Sequence, residues 1–88
     1  MSNAPYKVSL KRSAQKEVRS LDAGARVRVV RAVRELANDP RPAGCRKLVG
    51  SDDRWRVRVG DYRVIYTIDD AGRLLEVIAV RHRGRAYE

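Results

Sequence analysis

Residues 54–66 read RWRVRVGDYRVIY, and this stretch decides the fold. Strands alternate their side chains between two faces, so Trp55, Val57 and Val59 point one way while Arg54, Arg56 and Arg58 point the other. Gly60-Asp61 lies between two alternating runs, a signal for a two-residue hairpin loop in which glycine supplies a positive φ. With those two residues as the loop, Val59 faces Tyr62, Arg58 faces Arg63 and Arg56 faces Ile65. Arg56, Arg58 and Arg63 then share one face, and Trp55, Val57, Val59, Tyr62, Val64 and Tyr66 share the other. One face is core and the other is cationic.

Working outward, Tyr6-Lys7-Val8-Ser9-Leu10 alternates apolar and polar residues and predicts an opening strand. Ala14, Val18 and Leu21 recur at helical spacing up to Asp22-Ala23-Gly24, where the first helix is expected to end. From about Ala25 to Asn38, Val29, Val33 and Leu36 mark one face of a second helix, reinforced by Val30 and Ala37. Asp39-Pro40-Arg41-Pro42-Ala43-Gly44 stops it, because proline cannot continue a helix and biases its predecessor towards extended geometry. Arg46–Val49 predicts a short strand entering the turn Gly50-Ser51-Asp52-Asp53. Beyond the hairpin, a turn at Asp69-Asp70-Ala71-Gly72 leads into an apolar strand from Leu74 to Val80, and the chain closes on Arg81-His82-Arg83-Gly84-Arg85-Ala86-Tyr87-Glu88. The order β-α-α-β-β-β-β predicts an α+β fold: a small antiparallel sheet with an N-terminal strand, and a two-helix hairpin packed on one face. The arginines fall on the open face.

The chain has 88 residues, enough for one domain spanning residues 1–88 and too few for two. It carries 20 Lys+Arg against 11 Asp+Glu, a formal charge of +9, within a sequence that is 43% hydrophobic. That apolar content argues for a folded protein, and that charge raises the local concentration of polyanions such as nucleic acid. Guanidinium, which dominates over ammonium here, grips phosphate through two parallel hydrogen bonds. Cys45 is the single cysteine, so there is no disulfide framework or thiolate cluster, which fits a reducing cytoplasm. No apolar run approaches the roughly 18 residues of a membrane span.

Arg58 opposite Arg63 is the sharpest local anomaly, because like charges directly across an antiparallel pair are destabilising. Either these side chains splay into solvent or pair with Asp52, Asp53 or Asp61, or an anionic ligand relieves the repulsion. Arg81, Arg83 and Arg85 follow a buried strand directly, and Tyr87 adds an aromatic ring. Arginine with an aromatic is the usual equipment for holding an unstacked base and its phosphate. His82 stands alone, so no metal site is expected. Asp52-Asp53 and Asp69-Asp70 read as turn residues rather than a carboxylate pair.

The run KLVGSDDRWRVRVGDYRVIY, preceded by LANDPRP and followed by VIAVRHRGRAY, resembles the RelE/ParE superfamily of bacterial type II toxins over nearly the whole chain. Members similar to RelE cleave mRNA, typically in the ribosomal A site. The resemblance implies attack of a ribose 2′-hydroxyl on the adjacent phosphate without a metal or other cofactor, giving a 2′,3′-cyclic phosphate and a 5′-hydroxyl. It implies catalytic roles for Arg56, Arg58 and Arg63 on the phosphate, for Arg83 at the leaving group, and for Tyr87 in stacking or proton transfer. Lys47, Arg54, Arg81 and Arg85 are the further RNA contacts expected. RelE has lysines where Arg56 and Arg58 stand. Arginine, with a pKa above about 12, is a poor proton acceptor, so charge stabilisation is its expected role and Tyr87 is the candidate base. The partners implied are a cognate antitoxin, RelB-like or other, together with mRNA and the ribosome. The alternative is a ParE-like inhibitor of DNA gyrase with no nuclease activity.

Overall fold

A computed structural model describes residues 5–50 and 53–82. The hairpin forms in the register that its two-residue loop dictates: Val59 pairs with Tyr62, Arg58 with Arg63 and Arg56 with Ile65, with Gly60 at φ +60°. Strands β3 (Arg54–Val59) and β4 (Tyr62–Asp69) are its two arms. They sit inside a five-stranded sheet of order β1-β5-β4-β3-β2, completed by β1 (Lys7–Leu10), β2 (Arg46–Lys47) and β5 (Leu74–His82).

The sheet is mixed rather than wholly antiparallel. Strand β1 runs parallel to β5, from the pair Lys7↔Leu74 to Leu10↔Val77. Strands joined by tight turns must reverse direction, which fixes β3, β4 and β5. Strand β1 is linked to the others only through the helices and is free of that constraint.

Helices α1 (Arg12–Arg19) and α2 (Ala23–Leu36) cover one sheet face. The expected break at residues 22–24 is instead the start of α2, two residues earlier than periodicity suggests. The Asp22 carboxylate accepts the Ala25 amide at 2.7 Å and caps the helix, so Gly24 lies within the first turn. The core joins Ala14, Val18 and Leu21 to Val29, Val33 and Leu36 of α2, and both to Val64, Tyr66, Leu75, Val77 and Val80 of the sheet. Trp55, Val57, Val59 and Tyr62 pack against its margin.

One irregularity re-aims a side chain. Between β4 and β5, Ile65 pairs with Ala79 but Tyr66 pairs with Val77, leaving Ile78 as the extra residue of a bulge. Simple alternation from Val77 would send Arg81 to the helix side. The bulge shifts the parity by one, so Val80 faces the core opposite Val64, and Arg81 stands opposite Arg63.

Candidate functional site

The pairing builds the open face rung by rung. Arg58 on β3, Arg63 on β4 and Arg81 on β5 form one rung across three adjacent strands. The next rung holds Arg46 on β2 beside Arg56 on β3, followed by Ile65. Arg54 lies at the start of β3, opposite Thr67. Six arginines thus arise from four strands of one sheet, and only two rungs carry five of them.

A groove of about 740 Å³ lies at the β2 end of this face, where Arg46, Arg56, Arg63 and Ile65 line it together with Cys45 and with Lys47 and Trp55, a pair that strand alternation assigns to the other face. Arg63 is 7% exposed, the one charged side chain buried among the described residues, whereas Arg58 across from it is exposed. A guanidinium at the base of a groove acts through a lower dielectric than one in open solvent, so its attraction for an anion is less screened. Around it, Arg46, Lys47 and Arg58 are exposed and Arg56 half-buried, a graded cationic funnel.

The β2 side of the groove is held by an anchored loop. Tyr66 is fully buried and donates its hydroxyl to the Pro40 carbonyl at 2.8 Å, and burial pushes its phenol well above the usual range. Arg41 lies 5.0 Å from the centroid of the Trp55 ring and forks onto the Asp70 carboxylate at 3.2 and 2.9 Å. Tyr6 donates its hydroxyl to the same carboxylate at 2.5 Å. Hydrogen bonds from Arg41 and then Tyr6 hold Asp70 down at about 2, below its ordinary 3.8. Asp70 is therefore more than a turn residue, though an exposed ion pair of this kind adds little stability. These contacts fix residues 40–45 and so deliver Arg46 to the rim.

Of the residues singled out from sequence, Arg56, Arg58 and Arg63 do share one face, and Lys47 lines the same groove. Arg54 is exposed on β3. Arg81 joins the Arg63 rung, but its guanidinium is bridged at 2.9 Å to Glu17 of α1. Arg83, Arg85 and Tyr87 lie outside the described residues. Arg46 went unnoticed in sequence, because the turn before β3 is too long to set a register. Among the described residues no cluster of three or more His, Cys, Asp or Glu side chains could hold a metal ion, and no helix is long and apolar enough to cross a membrane.

Residues 8–87 match the family described as ParE toxin of type II toxin-antitoxin system, parDE. Among solved structures, the RelE–RelB complex from the archaeon Pyrococcus horikoshii OT3 contains a chain 30% identical to this one. The match covers 93% of this chain and 99% of that one, with a TM-score of 0.81. The toxin–antitoxin complex RelBE2 from Mycobacterium tuberculosis matches at 27% identity, over 91% and 93% of the two chains, with a TM-score of 0.80. A YoeB/ParE toxin from Agrobacterium tumefaciens, at 23% identity, 86% and 96% coverage and a TM-score of 0.74, shares the fold. No curated protein matches the sequence. With the family matched over residues 8–87 and the fold shared with RelE chains at TM-scores of 0.81 and 0.80, the chain belongs to the ParE toxin family of type II toxin–antitoxin systems, within the RelE/ParE superfamily.

Proposed function

We propose that this toxin is an mRNA endoribonuclease that acts on ribosome-associated message in the cytoplasm. The observation that carries the reading is the two-rung arginine array with Arg63 buried at the base of its groove. Cleavage needs a 2′-hydroxyl to attack the neighbouring phosphorus. The 2′-oxygen gives up its proton as the new P–O bond forms, negative charge builds on the non-bridging oxygens, and the 5′-oxygen leaves with a proton. The products are a 2′,3′-cyclic phosphate and a 5′-hydroxyl.

Fixed guanidinium groups suit the charge-bearing part of this path. Arg56, Arg58 and Arg63 would hold the phosphate and stabilise the phosphorane; Arg56 and Arg63 line the groove, and Arg58 stands exposed directly across from Arg63. Lys47, Arg54 and Arg46 would guide the flanking backbone. Arginine stays protonated, so the proton from the 2′-hydroxyl needs another acceptor, and Tyr87 is the proposed base, with Arg83 supporting the leaving side and Arg85 contacting the RNA. The like-charge rung, unfavourable in isolation, becomes favourable when a phosphodiester lies across it.

The family described for residues 8–87 is that of ParE, and this favours a second reading: a protein that inhibits DNA gyrase without cutting RNA. Under either reading a cognate antitoxin is the proposed regulatory partner, as the RelB chains accompany their toxins in the matched complexes. Purified toxin added separately to a programmed ribosome and to a gyrase supercoiling reaction tests the two. Message fragments ending in a cyclic phosphate, with supercoiling intact, support the nuclease; lost supercoiling with intact message supports the alternative.

A further inference from the structure

Strand β1 stops pairing with β5 at Leu10↔Val77, so the outer edge of β5 beyond that rung has no strand beside it among the described residues. Glu17 of α1 meets that edge. One carboxylate oxygen accepts the Val80 amide at 2.8 Å, and the other accepts the Arg81 Nε–H at 2.9 Å. A single side chain completes the strand edge and orients a guanidinium. Arg81 engages Glu17 through Nε, its terminal Nη groups have no hydrogen-bond partner among the described residues, and its side chain is 46% exposed.

Arg81 also stands where two surfaces meet. Its backbone lies beside Arg63 in the arginine rung, while its guanidinium, drawn towards α1, borders a groove of about 650 Å³ formed with Glu17, Ser20, Tyr62 and His82. Tyr62 and His82 meet there edge to face, with ring centroids 5.3 Å apart. Neighbouring strands are about 4.8 Å apart, so a guanidinium pulled to the outer edge of β5 is offset from the phosphate over Arg63 by more than one strand spacing. That offset suits the next phosphate of a chain, not the same one.

Taking RNA as the ligand, as in the preceding section, we propose that Glu17 and Arg81 form a second phosphate subsite. Glu17 is its positioning residue: it aims Arg81 at the phosphodiester adjacent to the one held by Arg56, Arg58 and Arg63, and the attached nucleotide lies towards Tyr62 and His82. The subsite accounts for an acid at the border of a strongly basic face, where a carboxylate acting on RNA directly would repel it.

The test uses 2′-O-methylated RNA oligonucleotides, which cannot be cleaved, each with one phosphate replaced by a neutral methylphosphonate. Affinities for the intact protein are measured by fluorescence anisotropy at fixed salt. In wild type, neutralising the adjacent phosphate weakens binding about tenfold, the value of a charge-assisted hydrogen-bonding contact. In Arg81→Ala that penalty disappears while the penalty at the central phosphate remains. Glu17→Ala and Glu17→Gln, the latter retaining an acceptor for Val80, also lose the adjacent-phosphate penalty, although each removes a negative charge and does not weaken binding overall. A merely structural Glu17 would shift the melting temperature and leave the position-by-position profile unchanged. The subsite is overturned if Arg81→Ala keeps the full profile, and the role of Glu17 is overturned if both Glu17 variants keep it. A wild-type protein that binds none of these RNAs overturns the subsite together with the nuclease reading, whereas binding with an unaltered profile overturns the subsite alone.

Discussion

Replacing Arg58 by threonine separates the effect of the arginine rung on the fold from its effect on a ligand. Arg58 and Arg63 are directly opposed across β3 and β4, and Arg81 continues the rung on β5. Directly opposed residues hold their Cβ atoms roughly 5 Å apart, and like charges at that spacing are destabilising by about 0.2–1 kcal/mol. Threonine keeps a branched, strand-favouring side chain at an exposed position, so little else changes. Taking about 0.5 kcal/mol for the relief, and roughly 4–8 °C per kcal/mol for a domain of this size, the midpoint should rise by about 2–4 °C at low salt. At about 1 M salt the screening length falls to roughly 3 Å, and the difference should shrink. The same variant should bind and cleave RNA less well, so stability and activity move in opposite directions. Thermal melts monitored by circular dichroism at two salt concentrations supply the first half, and a cleavage assay supplies the second. A melting temperature that falls, or a rise indifferent to salt, would refute the argument that repulsion across the rung is held in place for a ligand.

Further outcomes follow from contacts away from the rung. Tyr66→Phe removes the hydroxyl that a buried ring donates to the Pro40 carbonyl, and should lower stability by about 1 kcal/mol in chemical denaturation without changing the m-value. Asp22→Ala removes the α2 cap and should also lower stability by about 1 kcal/mol, while the activity of the folded protein is unchanged because the Asp22 carboxylate is engaged in capping α2 and lines neither groove. Asp70 titrates at about 2 in the folded protein against an ordinary 3.8. Its contribution is therefore complete above the ordinary value and is lost as pH falls through the folded value. The melting temperatures of wild type and Asp70→Asn should converge between those two pH values, and a gap that persists at the acid end would contradict the assignment.

The hairpin of residues 54–66 was fully legible because two facts suffice for it. Alternation sets the faces and a two-residue loop leaves a single register, so the placement of Arg56, Arg58 and Arg63 on one face followed directly. Strand β2 obeyed neither condition, since it is two residues long and leads into a longer turn, and Arg46 opposite Arg56 was missed for that reason. The apolar run from Leu74 to Val80 concealed a bulge, because uniformly apolar residues carry no period with which to detect a shifted parity. The direction of β1 was equally hidden: alternation reads the same in either direction, and only packing against β5 settles it. Glu17 left a faint trace as the one acid of α1, but its partners lie 63 and 64 residues away in sequence, beyond any local pattern. Asp70 likewise read as a turn residue until the fold brought Arg41 and Tyr6 to it.

The central claim is that the buried arginine at the base of this groove serves RNA cleavage. Mapping of 5′-hydroxyl ends on cellular mRNA after brief induction, comparing wild type with Arg63→Ala and Arg83→Ala, tests it most directly. The account predicts new 5′-hydroxyl ends within coding frames in the wild type and their loss in both variants, with each variant's expression and folding verified alongside. Growth arrest with signs of DNA damage and no new RNA ends would contradict it and assign the toxin to the gyrase-inhibiting class.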